Sequence, residues 1–177
     1  MNKLHLSLIA LAVAASSAHA ATIKIATVAP DGTAWMREMR AAGDVIRQKT
    51  EGRVEIKYYP GGVMGDSATV LRKIKIGQLQ GGAFTGSEAA MIAKDAQIYS
   101  LPFAFRSEAE IDGMRAKLDP RLQQQFAAQG YKLLGVTGGG FAYLMITRDI
   151  KGAEDLAAAK VWVPQGDTIA EMAFKAS

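Results

Sequence analysis

Hydrophobic and polar positions alternate along 22–29, where Ile, Thr and Val dominate, and this two-residue period predicts a strand. Pro30-Asp31-Gly32 breaks it as a turn. Trp35, Met39, Ala42 and Ile46 then recur at helical spacing with charges on the other face, so a helix follows and ends at Thr50-Glu51-Gly52. Val54 to Tyr59 is β-branched and aromatic and reads as a second strand. Strand, helix, strand in this order implies a parallel pair with a right-handed crossover. After Pro60-Gly61-Gly62, Asp66 is placed to cap a second helix whose apolar face is Val70, Leu71 and Ile74.

Beyond it the pattern predicts a third strand over 80–85, loosened by Gly81-Gly82, and a short helix over 87–94. Ser107-Glu108-Ala109-Glu110 fits a capping box for a helix carrying Ile111, Met114 and Leu118. Asp119-Pro120 looks like a fresh N-cap with Pro at the first helical position, so a separate helix is expected from there to Gly130. Strands are expected over 131–136, 141–147 and 160–164, and helices over 153–159 and 168–176. Gly138-Gly139-Gly140 could cradle a nucleotide or serve as a flexible crossover; with no G-x-G-x-x-G and no Gly-Lys pair, the crossover reading is preferred.

The first twenty residues behave as a separate object. Lys3 opens an apolar run over 4–15, and Ala18-His19-Ala20 is an A-x-A cleavage site, which together read as a secretory signal peptide cut after Ala20. The apolar run is too short to span a bilayer, which takes about 20 residues. No Cys follows it, so a lipid anchor is not expected. Both histidines, His5 and His19, leave with it, and the chain has no Cys. The exported part is thereby denied His and Cys as nucleophiles, bases or zinc ligands, and it has no disulfides. Of 21 Lys and Arg and 17 Asp and Glu, only Lys3 lies in the first twenty, so the rest carries +3. The charges alternate without a basic block, and nucleic acid is not an expected partner.

An exported hydrolase is the rival class. No G-x-S-x-G surrounds Ser67, Ser87, Ser100 or Ser107. The carboxylate pairs Glu108/Asp112 and Glu154/Asp155 fall near predicted helix starts, where acids favour the helix dipole. No calcium-loop pattern is present, and neither metal nor cofactor is expected. A binding protein needs no reactive residue. In open α/β sheets ligands meet the loops beyond the carboxyl ends of the strands, here near Ala29-Pro30, 61–67, 85–87 and Pro164-Gln165. Trp35 could face that region but fits the core better; Tyr58 and Tyr59 point to opposite faces, so at most one can reach it.

The run Lys49-Thr50-Glu51-Gly52-Arg53, then Pro60-Gly61-Gly62-Val63-Met64-Gly65-Asp66, resembles the signature of DctP-type solute-binding subunits of TRAP transporters. Gly77-Gln78-Leu79, Leu101-Pro102-Phe103-Ala104-Phe105, Gly130-Tyr131-Lys132-Leu133-Leu134-Gly135 and Lys160-Val161-Trp162-Val163-Pro164 continue it in order. The resemblance implies an α/β, two-lobed fold of the periplasmic-binding-protein type (type II-like). Members are longer, and the sequence stops at Ser177 directly on the helix predicted over 168–176, so the expectation is a signal peptide over 1–20, lobe 1 over 21–140 and the incomplete start of lobe 2 over 141–177. It also implies cleft residues. Family members hold a ligand carboxylate with an Arg where this chain has Trp162, and some use another Arg where it has Ala142, beside Phe141. Other cleft positions match Ser67, Thr85 and Glu88, the last an acid in place of a cation. Arg148 could substitute as the clamp or could be structural; Trp162 could stack on the ligand or fill lobe 2.

The implied function is capture of a small organic solute in the periplasm and delivery to TRAP membrane permease subunits, without catalysis. An organic acid is the family's usual cargo, made atypical here by Trp162. Two alternatives stand beside it: an exported sensor or scaffold of the same fold that docks to a receptor, and an exported hydrolase.

Overall fold

The computed structural model describes residues 20–140, 145–147, 149–152, 154–155, 159–163 and 167–175. Three parallel strands form its sheet: β1 (Ala21–Thr27), β2 (Val54–Tyr59) and β3 (Gly81–Ala83), in the order β2-β1-β3. Helix α1 (Ala34–Lys49) joins β1 to β2, and α2 (Ser67–Lys75) joins β2 to β3. The chain thus steps to one side of β1 and then to the other. With right-handed crossovers this places the two helices on opposite faces of the sheet. The contacts agree. Gly43 of α1 lies against Tyr58 and Ile56, whereas Val70 of α2 packs with Ala26, Leu79 and Tyr59. Tyr58 and Tyr59 therefore do face opposite ways, each covered by a helix.

Pairing of Ala21 through Ala26 with Val54 through Tyr59 is continuous, while β3 meets β1 only at Ile25, Ala26 and Thr27. The helix α1 is rotated from its expected stripe: Met36 and Gly43 are buried, Trp35, Met39 and Ile46 half-buried, and Ala42 exposed. The glycine explains the rotation. A Cβ at position 43 would sit 3.3 Å from the Tyr58 ring, so the absence of a side chain there lets the helix settle on Tyr58.

A second unit of core follows. Helix α3 (Gly86–Ala89) and a 3-10 helix (Lys94–Ser100) lead to the long α4 (Glu108–Ala128), whose Leu118, Leu122 and Phe126 pack with Ala93 and Ala96. Two sequence expectations fail here. The capping box at Ser107 is half formed: Ser107 Oγ accepts from Glu110 N–H, but the Glu110 carboxylate takes the N–H of Arg106 instead. And Asp119-Pro120 starts no helix; α4 runs through Pro120. An interior proline costs about 3 kcal/mol. Leu118, Leu122 and Phe126 form one i, i+4, i+8 stripe across it, and burying each side chain returns about 1.5–3 kcal/mol, so burial wins. Asp119 is taken from capping duty by Tyr99, whose hydroxyl donates to Oδ1 at 2.5 Å, and by Arg115 at 3.3 Å. Gly130 ends the helix with φ +80 as expected.

The strand expected over 131–136 is absent. Tyr131 and Leu133 lie half-buried on the α4 cluster and Leu134 is exposed. Arg115 Nη2 donates to the Val136 carbonyl at 2.6 Å. The side chains suit a strand, but the segment finds no partner edge among the described residues. Residues 145–147 and 160–163 likewise form no ladder, and the short helix expected over 87–94 covers only Gly86–Ala89. The last described helix, α5 (Thr168–Lys175), forms as expected. Residues 1–19 of the signal peptide expected over 1–20, the start of the strand expected at 141–147 and most of the helix expected over 153–159 lie outside the described residues.

Candidate functional site

Parallel strands bring their carboxyl ends to one edge, and at this edge three loops and three helix starts meet. Thr33 caps α1, Asp66 caps α2 and Thr85 caps α3, each side chain accepting a first-turn backbone N–H. The Pro60-Gly61-Gly62 turn is bound to the end of β1, with Gly61 N–H donating to Ala29 O at 2.8 Å and Gly62 N–H to Thr27 O at 3.1 Å. Both glycines have φ near +70 (66 and 72), a pair that side chains would strain. That turn sets where α2 begins.

Three of the sequence-derived candidates converge here. Ser67 is the first residue of α2 and buried, Thr85 is exposed, and Glu88 is half-buried in the first turn of α3. Ser67 Oγ donates to Glu88 Oε1 at 2.5 Å. Glu88 Oε2 accepts from Thr85 N–H at 2.7 Å and from Thr85 Oγ1 at 3.0 Å. Thr85 Oγ1 in turn accepts the Glu88 N–H, which completes a capping box. The Glu88 carboxylate is thus fixed by three hydrogen bonds and, among the described residues, by no ion pair.

The other candidates are not joined to it. Trp162 is 83% exposed. Phe141, Ala142 and Arg148 lie outside the described residues, as does Pro164-Gln165. Trp35 is half-buried on α1.

A contact that the sequence pattern gave no sign of adjoins the cluster. Ser87 Oγ, buried beside Glu88, donates to Asp167 Oδ1 at 3.1 Å, and the same oxygen caps α5 through Ala170 N–H at 3.1 Å. This bond spans eighty positions and ties the start of α5, where Ile169 is buried, to α3. Asp167 before the apolar-periodic Thr168–Lys175 was legible as an N-cap; its partner was not.

Asp66 is held below the ordinary carboxylate range by the N–H of Thr69, and Asp31 by its hydrogen bond to Arg40. Among the described residues no three His, Cys, Asp or Glu side chains group to hold a metal, and no helix is long and apolar enough to cross a membrane. An open depression of about 800 Å³ between Lys24, Arg40, Glu55 and Lys57 is lined by Tyr58 but by none of Ser67, Thr85, Glu88 and Trp162. It lies along the strands rather than beyond their carboxyl ends, where parallel sheets receive ligands.

Residues 25–176 match the family model of the bacterial extracellular solute-binding proteins, family 7 (DctP). A solute-binding protein of Chromohalobacter salexigens is 29% identical over 129 residues, which is 72% of this chain and 38% of that protein. A TRAP periplasmic solute-binding protein from Ochrobactrum anthropi superposes with a TM-score of 0.57 at 23% identity, covering 64% of this chain and 36% of that one. A TRAP periplasmic solute-binding protein from Citrobacter koseri with bound D-glucuronate does so with 0.53 at 26%, covering 60% and 36%. The chain spans well under half the length of each of these three.

Proposed function

The chain belongs to the bacterial extracellular solute-binding proteins of family 7, and on that premise we propose that the protein captures a small organic solute in the periplasm and hands it to TRAP permease subunits. The observation that supports this most is the convergence of Ser67, Thr85 and Glu88 at the carboxyl edge of the parallel sheet. A solute held there would rest on rigid helix starts. The family and its relatives are solute-binding proteins, and binding without turnover is the proposed mode. Lobe 1 would comprise 21–140 and the second wall of the cleft would begin at 141. Phe141, Ala142, Arg148 and Trp162 are its proposed contributors.

The test is mass spectrometry of small molecules released on denaturing the natively purified protein, with an incubation to show whether the solute is returned unchanged. Release of no solute, or steady conversion of it, would overturn the reading. Export is proposed through removal of residues 1–20. N-terminal sequencing of the periplasmic fraction should begin at Ala21, and an intact Met1 or a lipid-linked form would contradict it.

A further inference from the structure

Helix α3 is fixed from two sides. A Cβ at Gly86 would stand 2.7 Å from Ser100 Oγ and 2.9 Å from the Ala96 carbonyl oxygen, so only a glycine lets α3 lie this close to the 3-10 helix. On the other side Glu88 is bonded to Ser67 of α2 and to Thr85. Ser87 stands between these two anchored residues, and its hydroxyl is thereby held at a set point. That hydroxyl has one proton to give, and it goes to Asp167 Oδ1 at 3.1 Å. Asp167 is oriented by its own helix instead, because the same oxygen accepts the Ala170 N–H as an N-cap. The bond joins two partners that are each placed without the other, so it can form or break without rebuilding α3 or α5. Ser87 is 8% exposed. Water has little room to replace Asp167 there, so the bond parts when α5 moves away as a body.

The backbone leading away from α4 permits such a movement. Arg115 Nη2 holds the Val136 carbonyl at 2.6 Å. Directly after it, a Cβ at Gly138, Gly139 or Gly140 would meet nothing within 4 Å, so these residues turn without steric resistance. A pinned carbonyl and a free joint beside it are on one side, and a single polar contact between pre-oriented partners is on the other. Together they make an element with two arrangements, and Ser87 is the immediate neighbour of Glu88 at the carboxyl edge. We propose that Ser87 and Asp167 form a releasable latch, closed while a solute is retained at that edge and open when the solute leaves. This rests on the solute-capture reading above and adds the contact that governs release. A latch that closes after the solute has arrived slows departure and leaves arrival nearly untouched.

The chain has no Cys, so Lys117→Cys on α4 and Lys175→Cys at the end of α5, both exposed positions, take spin labels at these two places only. Pulsed electron-resonance distances on the full chain should show one main separation in this labelled parent. A second, displaced population should be about tenfold larger when Ser87→Ala is added, as loss of a hydrogen bond to a charged group implies. Asp167→Asn keeps an oxygen for both donors and should match the parent. Asp167→Ala removes latch and cap together and should show at least as much of the displaced population as Ser87→Ala. Retention is read on unlabelled, natively purified protein, dialysed for a fixed time and then denatured, with the released small molecules quantified by mass spectrometry. Ser87→Ala should keep several-fold less solute than the wild type, and Asp167→Asn about as much. Equal distance distributions in Ser87→Ala and the parent overturn the latch and leave solute capture standing. A changed distribution with equal retention also overturns it, because the bond would then hold α5 but not the solute. No solute from the wild type even before dialysis overturns solute capture and the latch with it.

Discussion

Ser87→Ala isolates the bond that ties α5 to α3. The substitution removes the donor to Asp167 Oδ1 but leaves Ala170 N–H on that oxygen, so α5 keeps its cap. Hydrogen bonds to charged groups contribute about 1.5–3 kcal/mol net. Asp167 is only half-buried, and water can take the place of the lost donor, which puts the cost at the low end, about 1.5 kcal/mol. At about 1.4 kcal/mol per factor of ten, the opening equilibrium of α5 should rise roughly tenfold. Hydrogen exchange followed by mass spectrometry reads this directly. Amides of α5 should exchange about ten times faster, while those of β1 and β2 stay unchanged. Asp167→Asn keeps an oxygen able to accept both bonds and should exchange nearly as the wild type does. If α5 exchanges identically in Ser87→Ala and the wild type, the bond does not hold the helix and the reasoning fails.

Leu122→Ala empties the centre of the second cluster, where Leu122 is 1% exposed; a cost of about 2–5 kcal/mol should appear in a denaturant midpoint, and a change below about 1 kcal/mol would mean that α4 is not anchored there. Tyr99 has its phenol pushed above the ordinary value by burial and by the bond to Asp119. Its contribution to stability is therefore whole below about pH 10 and lost as pH climbs through the raised value, so the gap in melting temperature between wild type and Tyr99→Phe should shrink in strongly alkaline buffer; a constant gap would contradict this. Trp162 is largely exposed, so Trp162→Arg should shift stability by no more than about 0.5 kcal/mol while tightening binding of a simple carboxylate such as cyclohexanecarboxylate; a variant that melts far lower would show that the indole packs against something.

What was legible in the sequence was local. The strand Val54 to Tyr59 and the Asp66 cap follow from residue type and spacing, because β-branched runs and side-chain caps need no distant partner. Element boundaries that depend on distant contacts were not legible. Pro120 marks a helix start only if nothing rewards continuing, and the reward comes from Ala93 and Ala96, more than twenty residues back. The 131–136 segment has strand-like residues, but a strand is a pairing, and its composition says nothing about whether an edge stands beside it. The rotation of α1 is a third case: spacing gives an apolar stripe, and Gly43 meeting Tyr58 decides which residue of it touches the sheet.

The candidate site divides along the same line. Ser67, Thr85 and Glu88 could be singled out only through the resemblance to the DctP-type subunits, whose cleft positions they match. The direction of their protons could not. Whether a serine gives or accepts depends on what stands opposite, and Glu88 is opposite Ser67 only because α2 and α3 begin side by side at one edge. An acid at that position reads from sequence as a replaced cation; in the structure the same carboxylate is the cap of its own helix and the orienting partner of two hydroxyls. Its charge and its architecture act together.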